Sequence, residues 1–248
     1  CADPIILNLF LILMKLSNVL SLSFQLFKTT FLTHLLGCLL LFGALLGLYW
    51  FLAPVIFGMP LEEVAQLSKQ PEKITALVNN GGFAIKLSLF LLLVDGIVTP
   101  FTTGMYKNYR SVQRNEAATI GQLFSFYRST YTGRILSYVL LLTALKSTAF
   151  VGIGALGLPA FALATVTVMS IVFVLTLPII IFEDQPLLRA MGNSYKRTVP
   201  VIFTVMLALI LGGLVSLLGA FVFGIGIVVT FPMLYAVIYS LYTNSVTH

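Results

Sequence analysis

Three stretches of this chain repeat one design, and that repetition limits the possible architectures more than any single motif. Ser21–Leu41 reads SLSFQLFKTTFLTHLLGCLLL, Ile120–Leu142 reads IGQLFSFYRSTYTGRILSYVLLL, and Pro186–Leu209 reads PLLRAMGNSYKRTVPVIFTVMLAL. Leu26-Phe27-Lys28-Thr29-Thr30-Phe31 aligns with Phe126-Tyr127-Arg128-Ser129-Thr130-Tyr131, and more loosely with Ser194-Tyr195-Lys196-Arg197-Thr198-Val199. Each time an aromatic, a base and hydroxyls lead without a break into an apolar run. Such repetition predicts one structural unit used three times.

Charged residues make up 9% of the chain and the mean hydropathy is +1.04. Soluble domains carry about a quarter charged residues, so the chain reads as an integral membrane protein. Its 248 residues hold several spans of ~20 residues and leave no room for a separate soluble catalytic domain. The net charge of +6 fits basic cytoplasmic loops. No basic patch is interleaved with aromatics on a polar domain, which argues against nucleic acid. Cys1 and Cys38 lack metal or redox spacing, and His34 and His248 stand apart, so no metal site and no cofactor is expected.

In chain order, residues 1–13 fit poorly with the rest of the chain and read as an upstream or non-native segment. The other reading makes Cys1 a lipidated first residue. Residues 14–248 form a single transmembrane domain, with repeats at about 15–105, 118–183 and 186–245. Residues 15–30 suit a helix lying in the interface, or an inward extension of the first span. That span is 31–57, with Gly43 and Gly47 as a close-packing face and Pro54 near its end. Pro60 precedes a short helix from Leu61. A second span, 83–105, bends or ends at Pro100 and Gly104. Two more spans fill 135–181, turning at Gly152–Pro159. A last hairpin covers 200–242, turning within 219–226, with Gly212, Ser216 and Ala220 packed closely and Tyr235, Tyr239 and Tyr242 at the inner interface. The expected fold is therefore all-α: six transmembrane helices in three hairpins, each preceded by an amphipathic interfacial helix.

Ten of the fourteen basic residues fall on one side: Lys15, Lys28, Lys107, Arg110, Arg114, Arg128, Arg134, Arg189, Lys196 and Arg197. Lys69 and Lys73 fall on the other. The positive-inside rule then places both termini in the cytoplasm.

Two pairs of residues could carry chemistry. Asp95 and Lys146 have opposite signs and sit inside spans, where an ionised group costs at least ~2.5–3.5 kcal/mol. They could line a pathway, bind a zwitterionic headgroup, or form a structural pair. Glu183 and Asp184 are adjacent carboxylates at a span end, able to pair with Arg128 or Arg189 or to act as an acid and base. Lys28, Arg128, Arg189, Lys196 and Arg197 form a basic collar suited to lipid phosphates. No phosphate loop or hydrolase signature is present.

PxxxFEDxPxxxAxxxSYKR at Pro178–Arg197, with the repeated lead-in segments, resembles the YciC-like family of bacterial inner-membrane proteins. It also resembles the membrane domain fused to some glycerophosphodiester phosphodiesterases. The resemblance spans about 14–243 and implies a six-helix inner-membrane protein without assigned chemistry. The phosphodiesterase domain of the fused relatives is absent, so that activity is not carried over. The expected function is a non-enzymatic scaffold or accessory subunit that contacts membrane lipids and other membrane subunits. The alternative is a carrier or flippase-like protein for a lipid or small amphiphile, with Asp95 and Lys146 in its path. A lipid-headgroup enzyme using Glu183 and Asp184 is a third.

Overall fold

The computed structural model describes the backbone of residues 4–70, 72–73, 77, 81–219 and 226–246, and, within these, side chains from Met14 onward other than those of Ser68, Ala84 and Ile227. The expected segment 1–13, most of the loop around Lys73, and Ala220 lie wholly or partly outside the described residues. Every described element is helical: α1 Pro4–Phe57, α2 Leu61–Gln66, α3 Gly81–Gln113, α4 Ile120–Phe124, α5 Thr132–Ala155, α6 Pro159–Val172, α7 Thr176–Phe182, α8 Leu187–Thr198, α9 Ile202–Leu218 and α10 Gly226–Val246. Five segments are long and apolar enough to cross a membrane: 14–57, 85–113, 132–155, 159–182 and 187–218.

The 54 residues of α1 form one unbroken helix, ~80 Å long at 1.5 Å per residue. Leu16, Val19, Ser23, Leu26, Thr30, His34, Cys38 and Leu41 are all buried. They recur every three or four residues, as one helix face must. Residues 15–30 therefore extend the first span within one helix and pack on the bundle, so among the described residues they form no helix separate from it. The helix ends where Gly58 adopts φ +68 and donates its N–H to Pro54 O.

The second copy of the repeat is broken. After α4, a 3-10 turn over Ser125–Tyr127 leads to Arg128 at φ −134, and α5 starts only at Thr132. Thr132 Oγ1 donates to Phe126 O and accepts from Ser129 N, which holds the corner. In the third copy α8 passes into α9 through a 3-10 turn at Val199–Val201. Pro200 cannot donate a helical hydrogen bond, which is reason enough for the joint.

Pro100 lies inside α3 rather than at its end, and the helix runs on to Gln113. Gly104 marks a close approach instead. A Cβ there would strike the backbone of Leu123, and one at Gly37 would strike its side chain. Leu123, fully buried, thus wedges α4 between α1 and α3. By contrast Gly43 and Gly47 have open space beside them and make no close packing face. Gly212 fulfils its expectation, since a Cβ there would lie 2.9 Å from Val237 of α10. Ser216 Oγ donates to Thr230 O in the same α9–α10 seam.

The fourth apolar segment is two helices. Pro178 lacks an N–H and its ring would clash with Val174 O, so the helix opens over Phe173–Leu175 before α7 resumes. Ser194 Oγ of α8 donates to Val172 O at 2.8 Å and accepts from Leu175 N at 3.2 Å. Tyr138 OH of α5 donates to Phe173 O. Polar backbone freed by the break is thus satisfied from neighbouring helices, as an apolar setting demands.

The core lies toward the basic end. There α10 packs against α1 and α9 and touches α3, while α5 joins α3. Tyr239 and Tyr242, expected at an interface, are buried, and both touch the Phe182 ring, Tyr239 edge-on and Tyr242 tilted. Tyr235 is half-buried.

Candidate functional site

Exposed apolar side chains form a belt. On α1 they run from Phe31 to Val55, on α3 from Ile85 to Leu93, on α5 and α6 from Leu136 to Val168, and on α9 from Phe203 to Leu218. Soluble proteins do not leave so much contiguous apolar surface uncovered. The registers agree: a Cβ on Gly96 would touch Leu136, so the α3 and α5 ends of the belt lie at one level.

Asp95 therefore stands at the edge of the belt nearest the basic end, and it is exposed. Lys146 is half-buried and lies within the belt, between Leu145 and Phe150. Each lies within electrostatic reach of the other, but no direct ion pair joins them. Side chains lean toward their helix N-terminus, so on these antiparallel helices the two charges point toward each other without meeting. Beside them, α3 and α5 enclose a groove of about 480 Å³ lined by Leu89, Leu92, Leu93, Gly96, Ile97, Leu136, Val139 and Leu140. That groove is aliphatic throughout.

Glu183 and Asp184 point to different partners. Arg197 grips both oxygens of Glu183, at 2.6 and 2.9 Å. Asp184, at φ +49, turns outward to Arg134 at 2.7 Å. Neither pairs with Arg128 or Arg189. Residues Pro178–Arg197 thus act as a mechanical joint. Pro178 opens the helix, Phe182 packs against Tyr239 and Tyr242, Glu183 holds Arg197, and Ser194 seals the break.

The five collar residues do not form one ring of free charge. Lys28, Arg128, Arg189 and Lys196 are exposed, whereas Arg197 is bound to Glu183.

His34 has a role that its isolation in sequence conceals. It is fully buried and edge-on to Tyr109. Thr30 Oγ1 donates to Leu26 O, so it accepts from His34 Nδ1 at 3.3 Å, while Asn108 Nδ2 donates to Nε2 at 3.2 Å. These roles require the neutral ring. Asn108 also takes Thr119 N–H and donates to Thr119 O, tying the loop before α4 to α3. Asn108 and Thr119 lie 74 and 85 positions from His34, a separation no local pattern reveals.

Tyr127, between α3 and α5, donates its phenol to Ile97 O. Burial pushes its pKa up from 10.0 to about 12. Lys107 and Arg110 on the last turns of α3, with Arg114 just past its end, face Ser125, Ser129 and Thr130 across an open depression. Among the described residues no group of three or more His, Cys, Asp or Glu side chains could hold a metal ion.

Comparison with protein-family models, with curated proteins and with solved structures finds no match to this chain.

Proposed function

We propose that this chain is a non-enzymatic, multi-pass accessory or scaffold protein of a bacterial inner membrane. In this reading it has six spans in three hairpins of one orientation, with both termini in the cytoplasm. The sixth span is α10, which packs against α1 and α9. The bias of ten basic residues toward one end supports the orientation. The likeness of Pro178–Arg197 to the YciC-like proteins points the same way.

The observation that carries the reading is how the polar side chains of that stretch are engaged. Glu183, Asp184, Ser194 and Arg197 each hold one chain segment to another. A general acid–base pair needs carboxylates free to exchange protons with a substrate, and a chelated Glu183 is poorly suited. A carrier needs polar lining along its path, whereas the groove beside Asp95 and Lys146 is aliphatic. An accessory protein needs rigid helices and an apolar flank that another membrane helix can cover. Lys146 supplies the polar anchor on that flank, where a partner carboxylate would neutralise it.

Native mass spectrometry after gentle extraction from the source membrane tests this. The expected result is a stoichiometric protein partner that is lost in Lys146→Met. A retained lipid or small amphiphile that is lost in Asp95→Asn would establish the carrier reading instead.

A further inference from the structure

Lys107 and Arg110 lie three residues apart on α3, and Arg114, just past its end, still donates its N–H to Arg110 O, so the three stack along one face. They line an open depression of about 470 Å³ whose other wall carries the hydroxyls of Ser125, Ser129 and Thr130. The ion pairs of the described residues involve none of these three cations. Glu116 is the only carboxylate on the lining, and it accepts a hydrogen bond from Ser111. Three positive charges thus face one negative charge. The C-terminal dipole of α3 offsets roughly half a charge, which leaves a clear excess.

The site is also partly organised in advance. The Arg110 guanidinium lies 4.6 Å over the Phe182 ring, a contact that holds it in place without using its N–H donors. Lys107 Nζ lies 3.4 Å from Ser125 Oγ, so cation and hydroxyl converge. Elsewhere at this end the basic residues are either paired, as Arg134 and Arg197 are, or exposed singly.

We propose that this depression binds a phosphate group. Three cations, with the Thr130 hydroxyl beside them, match a compact anion carrying several acceptor oxygens, and a guanidinium can bind two of them at once. Lys107 lies 14 residues beyond Leu93, the last belt residue on α3, or ~21 Å along the helix. At that height the phosphate belongs either to a lipid headgroup or to a soluble phosphoester. The assignment is independent of whether the chain has a protein partner.

The test uses the purified full chain in detergent. Native mass spectrometry reads retention of phosphatidylglycerol, and thermal unfolding reads stabilisation by inorganic phosphate. Lys107→Gln/Arg114→Gln removes two exposed cations and should weaken the responding ligand roughly tenfold or more. Arg189→Gln removes a cation outside the depression and should leave binding unchanged. Glu116→Gln removes the opposing carboxylate and should tighten binding, a gain that misfolding cannot produce. A lipid adduct that survives millimolar phosphate identifies a headgroup as the source. Stabilisation by phosphate without a lipid adduct identifies a soluble ligand. Equal losses from Arg189→Gln and the double variant, or no response of either ligand to the double variant, would overturn the proposal.

Discussion

Arg197 holds both carboxylate oxygens of Glu183, at 2.6 and 2.9 Å, across the corner between α7 and α8. The next residue, Asp184, makes a single bond to Arg134 with far more solvent around it: the pairs are 26%/20% and 40%/71% exposed. Bidentate geometry and burial make the first pair strong, whereas water screens the second. Glu183→Gln should therefore destabilise the protein by about 2 kcal/mol, and Asp184→Asn by less than ~1 kcal/mol. Thermal unfolding of the two variants side by side reads the difference, and equal shifts would contradict it.

Gly104 offers a second contrast. Adding a methyl there drives it into the backbone of Leu123, which cannot move without displacing α4. Gly104→Ala should cost about 1–3 kcal/mol through overpacking. Gly43→Ala meets nothing and should be neutral or slightly stabilising, since alanine favours the helix by up to ~1 kcal/mol. A neutral Gly104→Ala would mean that α4 is not seated against α3.

Asn108 joins three elements, so its removal should reach all of them. Asn108→Leu leaves His34 Nε2 and the Thr119 N–H and carbonyl without their partner. Each buried polar group so orphaned costs about 1–3 kcal/mol. Hydrogen exchange should show faster opening of residues 116–127, with the α5–α6 hairpin little changed. Uniform loosening of the whole chain would argue against a local hinge.

Tyr127 predicts an alkaline limit to stability. Its folded pKa, about 12, lies above the ordinary 10.0 because burial disfavours the phenolate. The neutral form is thus favoured by folding. That contribution is fully present below pH 10 and is lost as pH rises through about 12. Tyr127→Phe should flatten this part of the stability profile while weakening the protein at neutral pH by ~1 kcal/mol. An unchanged alkaline profile would place the transition in other groups.

Much of the architecture could be read from the chain itself. Scarce charge and apolar runs of about 20 residues point to membrane-spanning helices, which satisfy their own backbone. The turns at Gly58 and Gly157, the short helix after Pro60 and the small residues of the Gly212–Ser216 seam follow from local chemistry. Where the chain leaves the bundle, glycine and proline announce it.

What the sequence could not show depends on which helices become neighbours. Gly43 and Gly104 are alike in sequence, yet only Gly104 has another backbone against it. Residues 15–30 look suited to an interface because half of each turn is polar. Yet Ser23, Thr30 and His34 face inward, where Asn108 and Tyr109 on α3 receive His34. Glu183 and Asp184 are equivalent as letters, but a corner at φ +49 sends Asp184 outward and leaves Glu183 to Arg197. Residue type and spacing decide which surfaces are apolar and which segments coil. Whether a buried polar group is structural, and which cations stay unpaired, is decided only when distant segments meet, because a hydrogen bond or an ion pair exists only at contact distance.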